Sequence, residues 1–105
     1  MGSEVSRKIA EMLLQTEVIQ VYRDKPFVFV SGRISPVYID CRKILSFPEE
    51  REYIVTQLAR EVETAIGLTN IDVVAGGETA GIPYAAFVAH LTRKPMIYIR
   101  KQPKG

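Results

Sequence analysis

Two short stretches of this 105-residue chain carry residue types suited to holding an anion. The first, Gly76-Gly77-Glu78-Thr79-Ala80-Gly81, follows an apolar run of strand length at residues 71–75 and precedes a small-residue helix expected over 82–93. Glycines let the backbone approach a ligand closely, and a helix start offers N–H groups and the positive end of a dipole to a negative charge. The stretch is neither a Walker loop nor a GxGxxG fingerprint, so an anion loop and a tight structural turn both fit it. Glu78 is out of place in an anion loop unless it meets a metal or a ribose hydroxyl. The second stretch holds Arg100, Lys101 and Lys104, directly after the apolar run 96–99. If both runs are neighbouring parallel strands, the two stretches emerge on one sheet edge, where ligands collect in open α/β sheets. Arg supplies a planar fork and Lys a mobile point charge, a pairing suited to a phosphorylated small ligand.

A third stretch, Ser31-Gly32-Arg33-Ile34-Ser35-Pro36-Val37-Tyr38, places an Arg and two hydroxyls beside an aromatic ring. It could hold a planar anionic ligand, and it reads equally well as the corner of a hairpin. His90 and Cys41 have no second ligand at zinc spacing, so no protein metal site is expected. No Ser-His-Asp order and no paired carboxylates stand out.

The elements that must position these residues follow from patterning. Val5, Ile9, Met12 and Leu13 recur at helical spacing, which predicts an amphipathic helix over 3–20 with Ser3 as its cap. Residues 18–22, 26–30 and 36–39 are β-branched and aromatic runs separated by polar corners (residues 23–25 and 31–36), predicting a small antiparallel set. Ser46-Phe47-Pro48-Glu49-Glu50 announces another helix, with Ser46 as cap, Pro48 in the first turn and two acids near the positive dipole end. Ile54, Leu58, Val62 and Ile66 give it one apolar face, and Gly67 stops it. Strand 71–75, glycine loop, helix and strand 96–99 then form a βαβ unit with parallel strands.

Composition sets the outer bounds. At 47% hydrophobic and 25% charged, the chain is too apolar for disorder, and no apolar run approaches the ~18–20 residues that cross a bilayer. One cysteine, Cys41, cannot form an internal disulfide, which fits a reducing, cytoplasmic setting. The N-terminus lacks the order of a signal peptide. A net charge of +2 hides an asymmetry. Residues 1–78 carry nine basic and twelve acidic side chains, net −3, while residues 79–105 carry five basic and none acidic, net +5. That segment wants an anionic partner. Nucleic acid fits poorly, because the basic residues are not interleaved with aromatics over a long surface.

Taken together, residues 31–42, the Gly76–Pro83 block and Arg100-Lys101-Gln102-Pro103-Lys104-Gly105 resemble orotate phosphoribosyltransferase in order and spacing. The resemblance covers nearly the whole chain. It implies an α/β fold in which an N-terminal helix and small antiparallel hood strands (residues 1–47) precede a helix and the first βαβ unit of a type I phosphoribosyltransferase parallel sheet (residues 48–105). It also implies the reaction: orotate and phosphoribosyl pyrophosphate give orotidine 5′-monophosphate and pyrophosphate, in pyrimidine biosynthesis. Mg²⁺ would be held mainly through the diphosphate. Carried over by position, Lys101 and Lys104 match catalytic lysines of the mobile loop, shared across a homodimer. Arg100, Gly77, Glu78, Thr79, Ala80 and Gly81 join them as phosphoribosyl pyrophosphate contacts. Ser31, Gly32, Arg33, Ser35 and Tyr38 match the orotate-binding hood.

Two positions depart from the pattern: Val30 and Ala80 stand where many members have lysine. The family continues beyond the Lys104-Gly105 pair with the rest of the mobile loop, an acidic pair and a 5′-phosphate turn. The expectation is a truncated phosphoribosyltransferase domain, inactive or nearly so alone, with a short non-catalytic ligand-binding or regulatory homologue as the alternative.

Overall fold

Helix α1 runs over Ser3–Gln15. Val5, Ile9, Met12 and Leu13 are its half-buried residues, the face its spacing predicts. Its N-cap is Gly2, with no side-chain cap, so Ser3 is the first helical residue and not the cap. The helix also stops five residues short of the expected Gln20. Glu17 turns left-handed at φ 60, Val18 N donates to Leu13 O at 3.0 Å, and Glu17 N donates to Leu14 O at 3.1 Å. This is a Schellman ending built without glycine. It drops Val18 into a fully buried position and frees the next residues to pair as a strand.

The computed structural model describes residues 2–21 and 24–104. Tyr22 and Arg23, in the expected first strand and corner, and Gly105, in the expected tail, lie outside them. Two compact units divide the chain, Met1–Arg51 and Glu52–Gly105. In the first, β1 (Ile19–Val21) pairs antiparallel with β4 (Val37–Ile39), matching Gln20 to Tyr38. A second antiparallel pair joins β2 (Phe27–Val28) to β3 (Ile34–Ser35), with Phe27 opposite Ser35. The small antiparallel set is therefore present, but shorter than expected, and part of the expected 31–36 corner is itself strand.

A 3-10 helix at Cys41–Ser46 follows, with Asp40 as its N-cap: the Asp40 carboxylate accepts from Arg42 N at 3.2 Å. Ser46 closes this turn and does not cap the next helix, which starts at Pro48 itself. The Arg42 guanidinium also donates to Asp40 through Nε at 2.9 Å. That bond, above all other contributions, holds the Asp40 carboxyl below its ordinary pKa. A lowered folded-state pKa means that the carboxylate stabilises the fold above the unfolded-state value of about 4 and that this contribution is lost as pH falls through the folded value. Asp40→Asn keeps a capping oxygen and removes the charge. Its deficit in urea midpoint relative to the parent chain is expected to be constant and small near neutrality and to shrink below about pH 4. A deficit that grows on acidification would contradict the assignment.

Helix α2 spans Pro48–Ala65, with Glu49 and Glu50 in its first turn, and the division between the units falls within it. Ile54, Val55 and Ala59 are its buried residues. Leu58 and Val62 are half-buried, whereas Ile66 lies past the helix end and is exposed. The expected face is therefore rotated toward Val55 and Ala59. Gly67, at φ 88, terminates the helix as its type predicts.

In the second unit β5 (Val74–Gly77) and β6 (Met96–Ile99) are parallel, joined by α3 (Gly81–Thr92), which completes the expected βαβ unit. Strand β5 sits later than the expected 71–75. Pro95 fixes the start of β6, and the parallel register then matches Val74 to Met96 and Gly77 to Ile99, so residues 71–73 have no partner strand. Ala85, Val88 and Ala89 are the buried residues of α3. Gly76 allows its close approach to β5, since a Cβ there would lie 2.6 Å from Gly81 O and 2.7 Å from the Ala85 Cβ. Two of the six residues expected in the glycine loop, Gly76 and Gly77, are thus strand residues, and Gly76 serves helix–strand packing, not ligand approach.

Candidate anion site at the carboxyl edge of the parallel strands

With Gly76 and Gly77 assigned to β5, the turn proper is Glu78-Thr79-Ala80, leading into α3 at Gly81. Ala80 is the N-cap residue of α3, and no side chain caps that end. The first-turn N–H groups of a helix left uncapped favour a negative partner. Ile82 N is already used by Thr79 O at 3.2 Å. A Cβ added at Gly77 would meet nothing within 4 Å, so the main chain there faces open space. The Glu78–Thr79 peptide is cis.

The parallel register brings the basic segment to this turn. Gly77 pairs with Ile99, and Glu78 N donates to Ile99 O at 2.9 Å. Arg100, Lys101 and Lys104 therefore begin where β6 ends, on the edge that carries Gly77, Glu78, Thr79, Ala80 and Gly81. The Glu78 carboxylate accepts from the main-chain N–H of Lys101 at 2.6 Å. The sequence offers Glu78 a metal, a ribose hydroxyl or phosphoribosyl pyrophosphate as partner, whereas the bond it makes in the structure runs to a main-chain group 23 residues away. No residue type at position 101 could have signalled it. Arg100, Lys101 and Lys104 are exposed, with Arg100 Nε 3.4 Å from Gln102 O.

The candidate residues at 31–38 lie in the other unit and divide among themselves. Ser31 and Gly32 sit in the turn of the β2–β3 hairpin, where Gly32 N donates to Phe29 O at 2.8 Å and Gly32 has φ 87. Val30 and Arg33 are exposed beside them. Ser35 is engaged internally: its hydroxyl donates to Val37 O at 2.8 Å and accepts from Val37 N at 3.1 Å, folding the chain around Pro36. The Tyr38 ring lies 5.7 Å from Phe27 and 6.1 Å from Phe29, which ties β4 to the hairpin. Ser31, Gly32 and Arg33 thus form one exposed group, while Ser35 and Tyr38 hold the corner that carries it. Among the described residues, no group of three or more His, Cys, Asp or Glu side chains is placed to hold a metal ion.

No family model matches the chain. Over 97 residues it is 48% identical to an orotate phosphoribosyltransferase of Rhizobium rhizogenes, covering 92% of this chain and 42% of that protein. It is 46% identical over 104 residues to the orotate phosphoribosyltransferase of Ruegeria sp., covering 99% and 46%. Among solved structures, orotate phosphoribosyltransferase from Aeropyrum pernix superposes with a TM-score of 0.74 at 33% identity, covering 92% of this chain and 52% of that one. The chain spans somewhat less than half the length of the curated relatives it matches. In sequence and in backbone, it is a partial-length relative of the orotate phosphoribosyltransferases and carries part of their type I phosphoribosyltransferase fold.

Proposed function

We propose that this chain contributes the phosphate-handling edge of an orotate phosphoribosyltransferase, the enzyme that forms orotidine 5′-monophosphate and pyrophosphate from orotate and phosphoribosyl pyrophosphate. The observation that carries this is the meeting of two sequence-distant features at one sheet edge: the Glu78–Ala80 turn with its uncapped helix start, and the basic segment from Arg100. In such a transfer, positive charge develops at the ribose while the leaving diphosphate gains negative charge. Groups that position the diphosphate and neutralise it lower the barrier most. Arg100, Lys101 and Lys104 supply that charge, with Lys101 and Lys104 in the catalytic role. The main chain of Gly77, Thr79, Ala80 and Gly81 supplies close approach. Ser31, Gly32 and Arg33 supply the orotate-facing group, with Ser35 and Tyr38 shaping the corner behind them. Mg²⁺ would arrive on the diphosphate; Glu78, the acidic side chain of this edge among the described residues, is engaged by Lys101 N. A homodimer in the cytoplasm, with the basic segment serving the neighbouring subunit, belongs to the same proposal. Its support is family likeness, together with a single cysteine, which cannot form a disulfide within the chain. No helix among the described residues is long and apolar enough to cross a membrane.

Calorimetric titration of the chain with phosphoribosyl pyrophosphate and Mg²⁺ tests this. The expected result is saturable binding that weakens as salt is raised. Lys101→Ala combined with Lys104→Ala should weaken it about tenfold or more, the order expected for losing two charge-assisted contacts. Turnover of orotate by the 105-residue chain alone is expected to fall below detection. Absent heat, or binding insensitive to both salt and the double substitution, would overturn the assignment.

A further inference from the structure

The sequence makes Glu78 an anomaly: it is the last acidic residue of the chain and stands where an anion would be received. Its contacts give it a different task. Glu78 bonds on both sides of Arg100, through its own N–H to Ile99 O at 2.9 Å and through its carboxylate to Lys101 N at 2.6 Å. The carboxylate meets the main chain of Lys101 and not its ammonium. A surface ion pair to a lysine tip would leave the backbone free and contribute little. A charged acceptor on a backbone N–H fixes the path of the chain, and such bonds are short and stronger than neutral ones. Among the described residues past β6, no strand pairing does this.

We propose that Glu78 is a positioning residue that clips the start of the basic segment to the carboxyl edge of the parallel strands, so that Arg100 and Lys101 are held beside the Glu78–Ala80 turn before any diphosphate arrives. The clip requires ordering of only one bond, and it spares the incoming ligand the entropic cost of fixing that backbone. The carboxylate's own repulsion of an anion opposes this gain, so charge and hydrogen bond act in opposite directions and can be separated. The benefit to the ligand rests on the phosphate reading above, whereas the clip itself does not.

Two variants of the full 105-residue chain separate them. Glu78→Gln keeps an acceptor oxygen and removes the charge; Glu78→Ala removes both. Amide exchange of Lys101, followed by NMR on ¹⁵N-labelled chain, should be slowed in the parent, largely retained in Glu78→Gln and lost in Glu78→Ala. Inorganic pyrophosphate with Mg²⁺ should bind Glu78→Ala about threefold to tenfold more weakly than the parent, the range for one partly exposed charge-assisted bond. It should bind Glu78→Gln as tightly as the parent or more so. Equal Lys101 exchange in the parent and Glu78→Ala would overturn the clip. Tighter pyrophosphate binding by both variants would overturn the positioning role and leave Glu78 as a repulsive charge only. If the parent binds neither pyrophosphate nor phosphoribosyl pyrophosphate, the phosphate reading fails, and the Lys101 amide alone decides the clip.

Discussion

Gly76→Ala is expected to destabilise the chain by about 1–3 kcal/mol, the range for forcing a methyl group into a packed site, and to lower its thermal midpoint by several degrees. The added Cβ would stand 2.6 Å from Gly81 O, 2.7 Å from the Ala85 Cβ and 3.0 Å from the Gly81 carbonyl carbon. Two of these three atoms are backbone, and the third is a methyl with no rotamer to retreat into. Relief requires α3 to lift from β5, which separates the helix carrying buried Ala85, Val88 and Ala89 from its strand. Gly77→Ala is the control one residue away. Its Cβ would meet nothing within 4 Å, and its effect should stay within about 0.5 kcal/mol, as for ordinary surface changes. Urea denaturation of both variants measures the contrast. Equal midpoints would show that β5 and α3 are not packed as closely as described.

Ile44→Ala is expected to cost about 2–5 kcal/mol, the transfer loss of the side chain plus the cavity it leaves. Ile44 has no solvent exposure and is, with Val18 and Val55, among the largest fully buried side chains. It sits inside the Cys41–Ser46 3-10 helix, where Ile44 O also accepts from Phe47 N at 3.0 Å, so the local chain has little freedom to collapse into the gap. Small domains hold only about 5–15 kcal/mol in total, so this one substitution removes a large share. Ile34→Ala, at an apolar residue that is 67% exposed, should cost under about 1 kcal/mol. Far-UV circular dichroism against urea separates the two. Near-equal losses would place Ile44 outside the core.

Patterning made much of this fold legible, and the misses have common causes. Helical spacing found the half-buried face of α1, Pro48 with Glu49 and Glu50 marked the start of α2, and Pro95 located β6 to the residue. Helix stops were legible only where glycine wrote them. Gly67 signals the end of α2, but the left-handed residues beyond α1 and α3 are Glu17 and Arg93, at φ 60 and 58. Neither type announces that conformation, and tertiary burial of Val18 selects it at the first site. Strand β5 was misplaced because a strand's limits depend on its neighbour's register, and Gly76 and Gly77 carry no strand propensity of their own. At the candidate site, residue type and strand order located the sheet edge. The Glu78 contact lay beyond reach, since a main-chain N–H is the same at every position.

The β5–β6 pair has a consequence for how the chain behaves in company. Among the described residues this sheet has two strands and no central one, so each is an edge, and an edge strand presents main-chain groups that a further strand can pair. Ile97, Tyr98 and Ile99 are each more than half exposed along one of those edges. Nothing in that ribbon discriminates between a neighbour from the same chain, from a second copy or from a misfolded one. Lateral association at this edge would sit against the start of the basic segment. Were a second copy to pair there, anion binding at that segment and self-association would be linked, and protein concentration would enter the chain's apparent affinity and stability.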